Sequence, residues 1–271
     1  MKMTFLGTGG TFSRSGQNYH NNVLVETDAG SKILIDCGTT ALESLHALSV
    51  DPLELDGVIV THIHADHVGG LEELGFRGLF LGKALNGSPT RFDLYVPGPL
   101  LPSKLDLPYE SDRLPDLWEN CLKGGMVHVQ DEQNNPVTAT LETYFVPHVM
   151  ETPEEVFTVD GVRFMFVRTK HVPQKASFGL VMESERGSRI FFSGDTLSDV
   201  PVDLGEFDVI FHDCLWVPKY PSTVHTHFEE MVSLPQDTRE RVFLMHYGGA
   251  EDAPENLEGM RLAHRHQTFD L

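Results

Sequence analysis

The chain carries the stretch Thr61-His62-Ile63-His64-Ala65-Asp66-His67 directly after an apolar run at residues 55–60. Three histidines and one carboxylate within six residues form a density of metal ligands that packing does not explain. Imidazole and carboxylate suit zinc and similar divalent ions. One ion cannot easily be bound by all four side chains of so short a loop, so the stretch predicts two adjacent metals, as in hydrolases of phosphate esters and amides. The alternative is a solvated histidine-rich loop, although such tracts are themselves metal-binding candidates.

Composition describes an ordinary globular protein. The chain has 271 residues with 40% hydrophobic residues and 24 glycines, enough for one large α/β domain or two small ones. No segment has the apolar length of a membrane helix, and the first residues lack the pattern of a signal peptide. Three scattered cysteines are too few for a disulfide framework. We therefore expect a soluble, cytoplasmic protein with reduced thiols and no membrane contact.

The net charge is −20, from 20 Lys and Arg against 40 Asp and Glu. Nucleic acids bind proteins through Lys and Arg contacts to phosphates, and we find no cluster of basic residues here. Solubility is the simplest reason for the acidity. In either case the charge makes long nucleic acid an unfavourable partner.

Apolar patterning predicts a chain rich in strands with several helices. Predicted strands lie at residues 2–6, 22–26, 32–36, 55–60, 92–96, 138–146, 155–159, 163–169, 177–183, 189–193, 209–212 and 242–245. Predicted helices lie at residues 41–48, 69–81, 114–122 and 227–234. This order predicts two sheets packed face to face with helices outside.

Four later strands end in ligand-type side chains, as the first stretch does. These residues are His171, Asp195, His212 and His246. A single histidine after a strand is more often structural than a ligand. Strand ends on one edge of a sheet bring loops together, however, so distant residues of this kind can form one site.

These motifs resemble the metal-binding motifs of the metallo-β-lactamase superfamily, in the right order. The resemblance rests on residues 62–67, on His171, on the Ser-Gly-Asp-Thr segment at 193–196 and on His246. The glycine turn after the first strand, the His171 to Gly179 segment, His212-Asp213-Cys214 and His225-Thr226 are similar to the ribonuclease Z-like phosphodiesterase branch. The glycines at residues 7–10 either present amides to a phosphate or simply tighten the turn.

The resemblance implies an α/β fold, the αβ/βα four-layer metallo-β-lactamase sandwich, in which two facing mixed β-sheets are flanked by helices. It implies one domain over residues 1–271, with a variable substrate-recognition segment around residues 100–160. This branch commonly forms homodimers.

The resemblance also implies a dinuclear metal site. His62, His64 and His171 would hold one ion. Asp66, His67 and His246 would hold the second, and Asp195 would bridge the two. The ions are expected to be zinc, with manganese or iron as alternatives. Such a pair lowers the pKa of a bound water far enough to supply hydroxide at neutral pH.

Several other side chains are candidates for roles in the reaction. Asp66 would contact the nucleophile, and His225 or His227 would protonate the leaving group. The resemblance favours His225, whereas His227 is equally well explained as a helix cap. His212 could orient a metal ligand from behind. His148 is a weaker alternative to His171.

The predicted activity is hydrolysis of small phosphodiesters, with cyclic nucleotides as the leading substrate, because the branch includes members that degrade them. Alternatives are 3′-processing of transfer RNA, another hydrolase on this scaffold such as a lactonase or sulfatase, and a metal-stabilised binding protein. The interval 100–169 lacks the glycine- and lysine-rich arm with which the RNA-processing enzymes bind transfer RNA. Four aromatic residues there are either base-stacking or core residues, namely Tyr109, Trp118, Tyr144 and Phe145.

Overall fold

A computed structural model describes residues 1–13, 17–101, 116–130, 133–152, 154–173, 175–216, 224–247 and 249–271. The strands are, in chain order, β1 (Lys2–Phe5), β2 (Val23–Glu26), β3 (Lys32–Ile35), β4 (Gly57–Ile59), β5 (Phe92–Pro97), β6 (His128–Gln130), β7 (Pro136–Thr138), β8 (Phe145–Met150), β9 (Val156–Val159), β10 (Val162–Thr169), β11 (Ser177–Glu183), β12 (Arg189–Phe192), β13 (Val209–Asp213), β14 (Val242–Met245), β15 (Arg261–Leu262) and β16 (Thr268–Asp270).

The α-helices are short. They are α1 (Ala41–Ala47), α2 (Ala65–Val68), α3 (Leu71–Phe76), α4 (Lys83–Asn86), α5 (Lys123–Met126), α6 (Leu141–Tyr144), α7 (Phe228–Val232) and α8 (Gln236–Arg239). Wider π-type turns at Arg77–Gly82 connect α3 to α4, and similar turns at Leu117–Leu122 precede α5. In the described part of the chain, no helix combines the length and apolar character needed to cross a bilayer.

The two seven-stranded sheets have the same arrangement of antiparallel and parallel strand pairs. The first has the order β16-β1-β2-β3-β4-β5-β8, and the second β9-β10-β11-β12-β13-β14-β15. In each order the first three pairings are antiparallel and the last three are parallel. Parallel strands place their carboxyl ends at the same edge, so each sheet presents one edge where consecutive loops meet.

The two sheets pack face to face around an aromatic core. The Phe5 ring of the first sheet lies 5.0 Å from Phe211 of the second, and Tyr95 stacks on Phe157 at 4.7 Å. A second core on the outer face of the second sheet is covered by α7 through Phe228. The predicted sandwich of two mixed sheets with flanking helices is confirmed.

The predicted strand at residues 138–146 is wrong. The chain leaves β7 at Thr138, forms α6 and enters β8 only at Phe145. The Thr140 hydroxyl accepts an N–H of the first helical turn, and the Thr143 hydroxyl accepts the Thr140 N–H at 3.0 Å. This reciprocal capping box stabilises a helix start that β-branched composition alone does not indicate.

Three of the four candidate stacking aromatics are core residues. Trp118, Tyr144 and Phe145 are buried, and the Tyr144 hydroxyl donates to the Met126 carbonyl at 2.6 Å. Tyr109 lies outside the described residues. Residues 114–115 of the helix predicted at 114–122 also lie outside them, and the observed helical turns begin after Asp116, which caps them. The helix predicted at 69–81 begins instead at Leu71 and continues to Asn86.

The glycine turn after β1 is required for close packing. A Cβ on Gly7 would lie 2.1 Å from the Tyr19 carbonyl oxygen, and one on Gly10 would lie 2.9 Å from His246 Cε1. The Gly9 N–H is already bonded to Tyr19 O at 3.0 Å. These contacts favour the interpretation that the glycines tighten the turn, and they bring it against the edge that carries His246.

Candidate metal centre

The candidate ligands lie where strands of both sheets end. The loop after β4 carries His62 and His64, and α2 then begins directly after His64 and holds Asp66 and His67 in its single turn. The second sheet supplies its ligands from the ends of β10, β12 and β14, namely His171, Asp195 and His246. The structure therefore brings the seven candidate ligands together between the facing sheets.

The first group of ligand atoms is formed by His62, His64, His171 and Asp195, within 4.8 Å of one another. His64 Nδ1 lies 3.0 Å from His62 Nε2 and 3.2 Å from His171 Nε2. Three imidazole nitrogens directed at one point, with a carboxylate beside them, form a donor set suited to a divalent cation.

The second group contains Asp66, His67, His246 and the same Asp195, again within 4.8 Å. Asp66 Oδ2 lies 3.5 Å from His67 Nε2 and 3.4 Å from His246 Nε2. All four residues are buried.

Asp195 is common to both groups. Its Oδ2 lies 3.6 and 3.8 Å from Nε2 of His62 and His171, and 3.4 and 3.3 Å from Nε2 of His67 and His246. Among the described residues, the buried atoms Asp195 Oδ1 and His67 Nε2 have no hydrogen-bond partner. Buried polar atoms are rarely left unpaired, so a cation would satisfy both. The donor set fits divalent metal ions.

The titration states of the first group's histidines and of the two carboxylates agree with metal ligation. Burial lowers the pKa of His62 and His171, and that of His64 to about 4, so these imidazoles are neutral at physiological pH. Burial opposes ionisation of Asp66 and Asp195, but the neighbouring histidines hold the pKa of both carboxyls below its usual range. Neutral imidazole and ionised carboxylate are the forms that bind metal.

Partners behind the histidines orient their rings. His67 Nδ1 donates to Asp36 Oδ2 at 2.7 Å, and Asp36 also accepts the Thr61 N–H and hydroxyl at 2.8 and 2.7 Å. His171 Nδ1 donates to the Val224 carbonyl at 2.9 Å. Such bonds select the tautomer that turns Nε2 toward the metal. Sequence reasoning missed Asp36, although it too is a carboxylate directly after an apolar strand.

His225 borders the cavity that contains the candidate ligands. Its ring lies 4.8 Å from both His171 and His246, and its Nδ1 donates to Asp213 Oδ2 at 2.8 Å. Burial opposes protonation of His225, but the Asp213 carboxylate outweighs it and raises the pKa of His225 to about 9. His225, His64, Asp66 and Asp195 line one cavity of about 230 Å³. Sequence reasoning also missed Asp213, which it treated only as part of a motif.

The remaining histidine candidates lie elsewhere. His227 caps α7, where its N–H bonds to Glu230 at 2.9 Å and its ring pairs with Glu229, and it is absent from the described lining of the cavity. His212 does not bond to a candidate ligand, because its Nδ1 bonds to the Asp213 backbone carbonyl at 2.9 Å and its buried Nε2 has no hydrogen-bond partner among the described residues. His148 pairs with Asp93 at 2.7 Å, away from both groups.

Comparisons with known proteins agree with this geometry. The family model for Anti-Pycsar protein Apyc1 matches residues 1–269. The Anti-Pycsar protein Apyc1 of Bacillus phage 010DV004 is 33% identical over 279 residues, covering 100% of this chain and 98% of the relative.

Solved structures show the same fold at low identity. The metallo-β-lactamase fold protein YhfI from Bacillus subtilis superimposes with a TM-score of 0.71 at 17% identity, covering 99% of this chain and 98% of that one. The short form of human tRNase Z gives a TM-score of 0.63 at 18% identity, covering 100% and 99%.

Proposed function

The chain belongs to the Anti-Pycsar protein Apyc1 family, and on that premise we propose that it is a metal-dependent phosphodiesterase that hydrolyses 3′,5′-cyclic nucleotides. The ribonuclease Z-like branch that the motifs resemble includes members that degrade cyclic nucleotides. The observation that carries the proposal is Asp195 Oδ2, which lies between four histidine nitrogens of two ligand groups and lines a cavity with His225. This arrangement suits attack by water on a phosphodiester held at two cations.

In this proposal each ligand group would hold one ion, and Asp195 would be a ligand common to both. His62, His64 and His171 would hold the first ion, and Asp66, His67 and His246 would hold the second. Zinc suits these donors, with manganese and iron as alternatives. When bound, the two ions supply an activated water and neutralise charge on the phosphoryl oxygens.

His225 serves as the general acid in this proposal. With Nδ1 bonded to Asp213, its Nε2 is the atom that carries the transferable proton. Water forms the new bond to phosphorus, the P–O ester bond breaks, and Nε2 protonates the departing sugar oxygen. His225 then regains a proton from the water that was consumed, and a nucleoside monophosphate leaves.

The overall charge supports a small substrate. A net charge of −20 repels long nucleic acid, whereas the cationic centre of the site attracts a single phosphodiester. No contact among the described residues specifically favours RNA processing, lactonase or sulfatase activity.

We also propose that residues 1–271 form one domain, that two copies associate and that the protein acts in the cytoplasm. The main core includes residues of both sheets, which supports one domain.

Phe80, Leu81 and Leu85 project exposed apolar side chains from one helical segment, which supports association. The described cysteines are free, as expected in a reducing compartment. Light scattering coupled to gel filtration would measure the mass of the particle.

A substrate panel tests the proposed activity. Protein reconstituted with zinc or manganese is incubated with the 3′,5′-cyclic forms of AMP, GMP, CMP and UMP and with a 3′-extended transfer RNA. We expect nucleoside monophosphates from the cyclic nucleotides, no cleavage of the transfer RNA, and loss of activity after chelation. Cleavage of the transfer RNA without turnover of any cyclic nucleotide would overturn the proposal in favour of RNA processing.

A further inference from the structure

The structure contains a second cavity beside the metal centre, with a volume of about 620 Å³. We propose that this cavity is the subsite for the nucleobase of the substrate and that Phe12 is the surface on which the base stacks. The inference rests on the proposed phosphodiesterase function and adds where the base binds. The volume falls within the usual range for sites of small ligands.

The two cavities adjoin through two short segments of chain. Thr11 lines the metal cavity, and the next residue, Phe12, lines the second one. Likewise His246 lines the metal cavity, and Tyr247 lines the second. The two cavities are thus neighbours along these two segments, and the proposal places the base of a diester bound at the metals in the second one.

Phe12 is unusual because its side chain is 96% exposed at the rim of this cavity. An aromatic ring without packing partners is available to stack on a base, and stacking needs no particular base identity. Two other residues of the cavity lining, Thr8 and Asn18, fix each other. Asn18 accepts the Thr8 N–H at 3.2 Å and donates to the Thr8 hydroxyl at 3.1 Å.

Two charged side chains of the second cavity, Arg265 and Glu251, favour a substrate orientation with the base in this cavity and the phosphate at the metals. Arg265 is positioned by a bond from Nη1 to the Gln17 carbonyl at 3.2 Å and by the Tyr19 ring, 5.6 Å from its Cζ. Glu251 lines the same cavity. A guanidinium and a carboxylate offer a donor and an acceptor to base edges. Because the carboxylate offsets the charge of the guanidinium, the cavity has little net attraction for phosphate, so the phosphate is favoured at the metals and the neutral base in this cavity.

A third cavity also borders the metal cavity, because His171 and Val172 line both. It has a volume of about 370 Å³ and is lined by Arg168, Lys170 and Lys175 among others, and its described lining contains no Phe, Tyr or Trp. The ring in that lining is the imidazole of His171, a candidate metal ligand, so a base placed there would have no uncommitted ring on which to stack. The two cavities therefore make different predictions for mutagenesis.

The test compares substrates with and without a base. KM and kcat are measured for 3′,5′-cyclic AMP and for abasic ribose 3′,5′-cyclic phosphate, with wild type, Phe12→Ala, Phe12→Tyr and the exposed control Val156→Ala. We expect Phe12→Ala to raise KM for cyclic AMP about 10-fold, the scale of one base stacked on an aromatic ring. KM for the abasic diester should not change, and Phe12→Tyr should behave as wild type.

Binding of a hydrolysis-resistant phosphorothioate of cyclic AMP, measured by calorimetry on the metal-loaded protein, separates the possible failures. If wild type neither binds nor turns over cyclic nucleotides, the proposed function and the subsite both fail. If wild type does both and Phe12→Ala matches it, the subsite alone is refuted. A selective loss in Lys175→Ala would assign the base to the other cavity. A change of particle mass in Phe12→Ala without a selective KM effect would assign Phe12 to an interface and overturn the proposal.

Discussion

The two ligand groups of the metal centre contain the same kinds of side chain but differ in what lies behind them. In the first group the outer partners are uncharged, namely the Thr61 hydroxyl at 3.2 Å from His62 Nδ1 and the Val224 carbonyl at His171. In the second group a carboxylate, Asp36, accepts from His67. A second carboxylate, Asp213 Oδ1, lies 3.6 Å from His246 Nδ1.

The two groups also differ in the exposure of their ligands and in the pKa of their histidines. His64 of the first group is only half-buried, whereas all ligands of the second group are buried. Burial lowers the pKa of the first group's histidines. For His67 and His246, burial also opposes protonation, but Asp195 and other carboxylates outweigh it and raise the pKa. Outer carboxylates make imidazole a stronger ligand, so we expect the second group to hold its ion more tightly.

The largest loss of metal and activity is expected from substitution of Asp195, which both ligand groups share. Asp195→Ala removes the ligand that both share, so metal content should fall in both groups and hydrolysis of cyclic nucleotides should drop by on the order of 10³-fold or more. Elemental analysis of the purified variant and a rate assay measure the two consequences. Full metal content in this variant would contradict the shared role of Asp195.

Removing a ligand from one group at a time separates the groups. Asp66→Ala should lose the tighter ion and nearly all activity, because Asp66 is a proposed ligand of that ion and would border the nucleophile. His64→Ala should lose only the weaker ion. Chelator titrations followed by elemental analysis would show one remaining ion in each variant, held more firmly in His64→Ala. Equal retention in both variants would contradict the predicted difference between the groups.

His225 stands between the groups and is expected to affect chemistry rather than metal content. His225→Ala should slow cyclic nucleotides by about 10²-fold or more, the usual contribution of a general acid. Bis(p-nitrophenyl) phosphate should be affected much less, because its leaving group needs no proton. His227→Ala is the matched control, since His227 caps α7 outside the described cavity lining. Equal losses on both substrates would indicate a structural or binding role for His225.

The smallest effect is expected from substitution of Asp36, the carboxylate that accepts from His67 behind the second group. Asp36→Asn keeps the shape of the side chain but removes its charge, so affinity for the second ion should fall about 10–100-fold. Asp93→Asn is the matched control, because Asp93 accepts from His148 in a similar pair away from the metal centre. Competition with a fluorescent zinc chelator measures both. An unchanged affinity in Asp36→Asn would show that the outer carboxylate does not strengthen the second group.

Local spacing made much of this protein predictable. The ligands between His62 and His67 lie in one loop and one helical turn, so their proximity follows from chain connectivity alone. The strand endings at His171, Asp195 and His246 were visible because apolar runs end there, and the superfamily resemblance placed them in one site. The sandwich of two mixed sheets followed from the same patterns and is confirmed.

Other features depend on contacts that no local pattern encodes. Asp36 and Asp213 are single carboxylates, and their role appears only when separate strands place them behind His67 and beside His225. The helix α6 depends on a two-residue cap that overrides strand propensity. The cavity between Phe12 and Arg265 joins opposite ends of the chain. Candidate ligands are thus readable from sequence, because residue type and short spacing carry them, whereas outer partners and the cavity arise only from packing between distant segments.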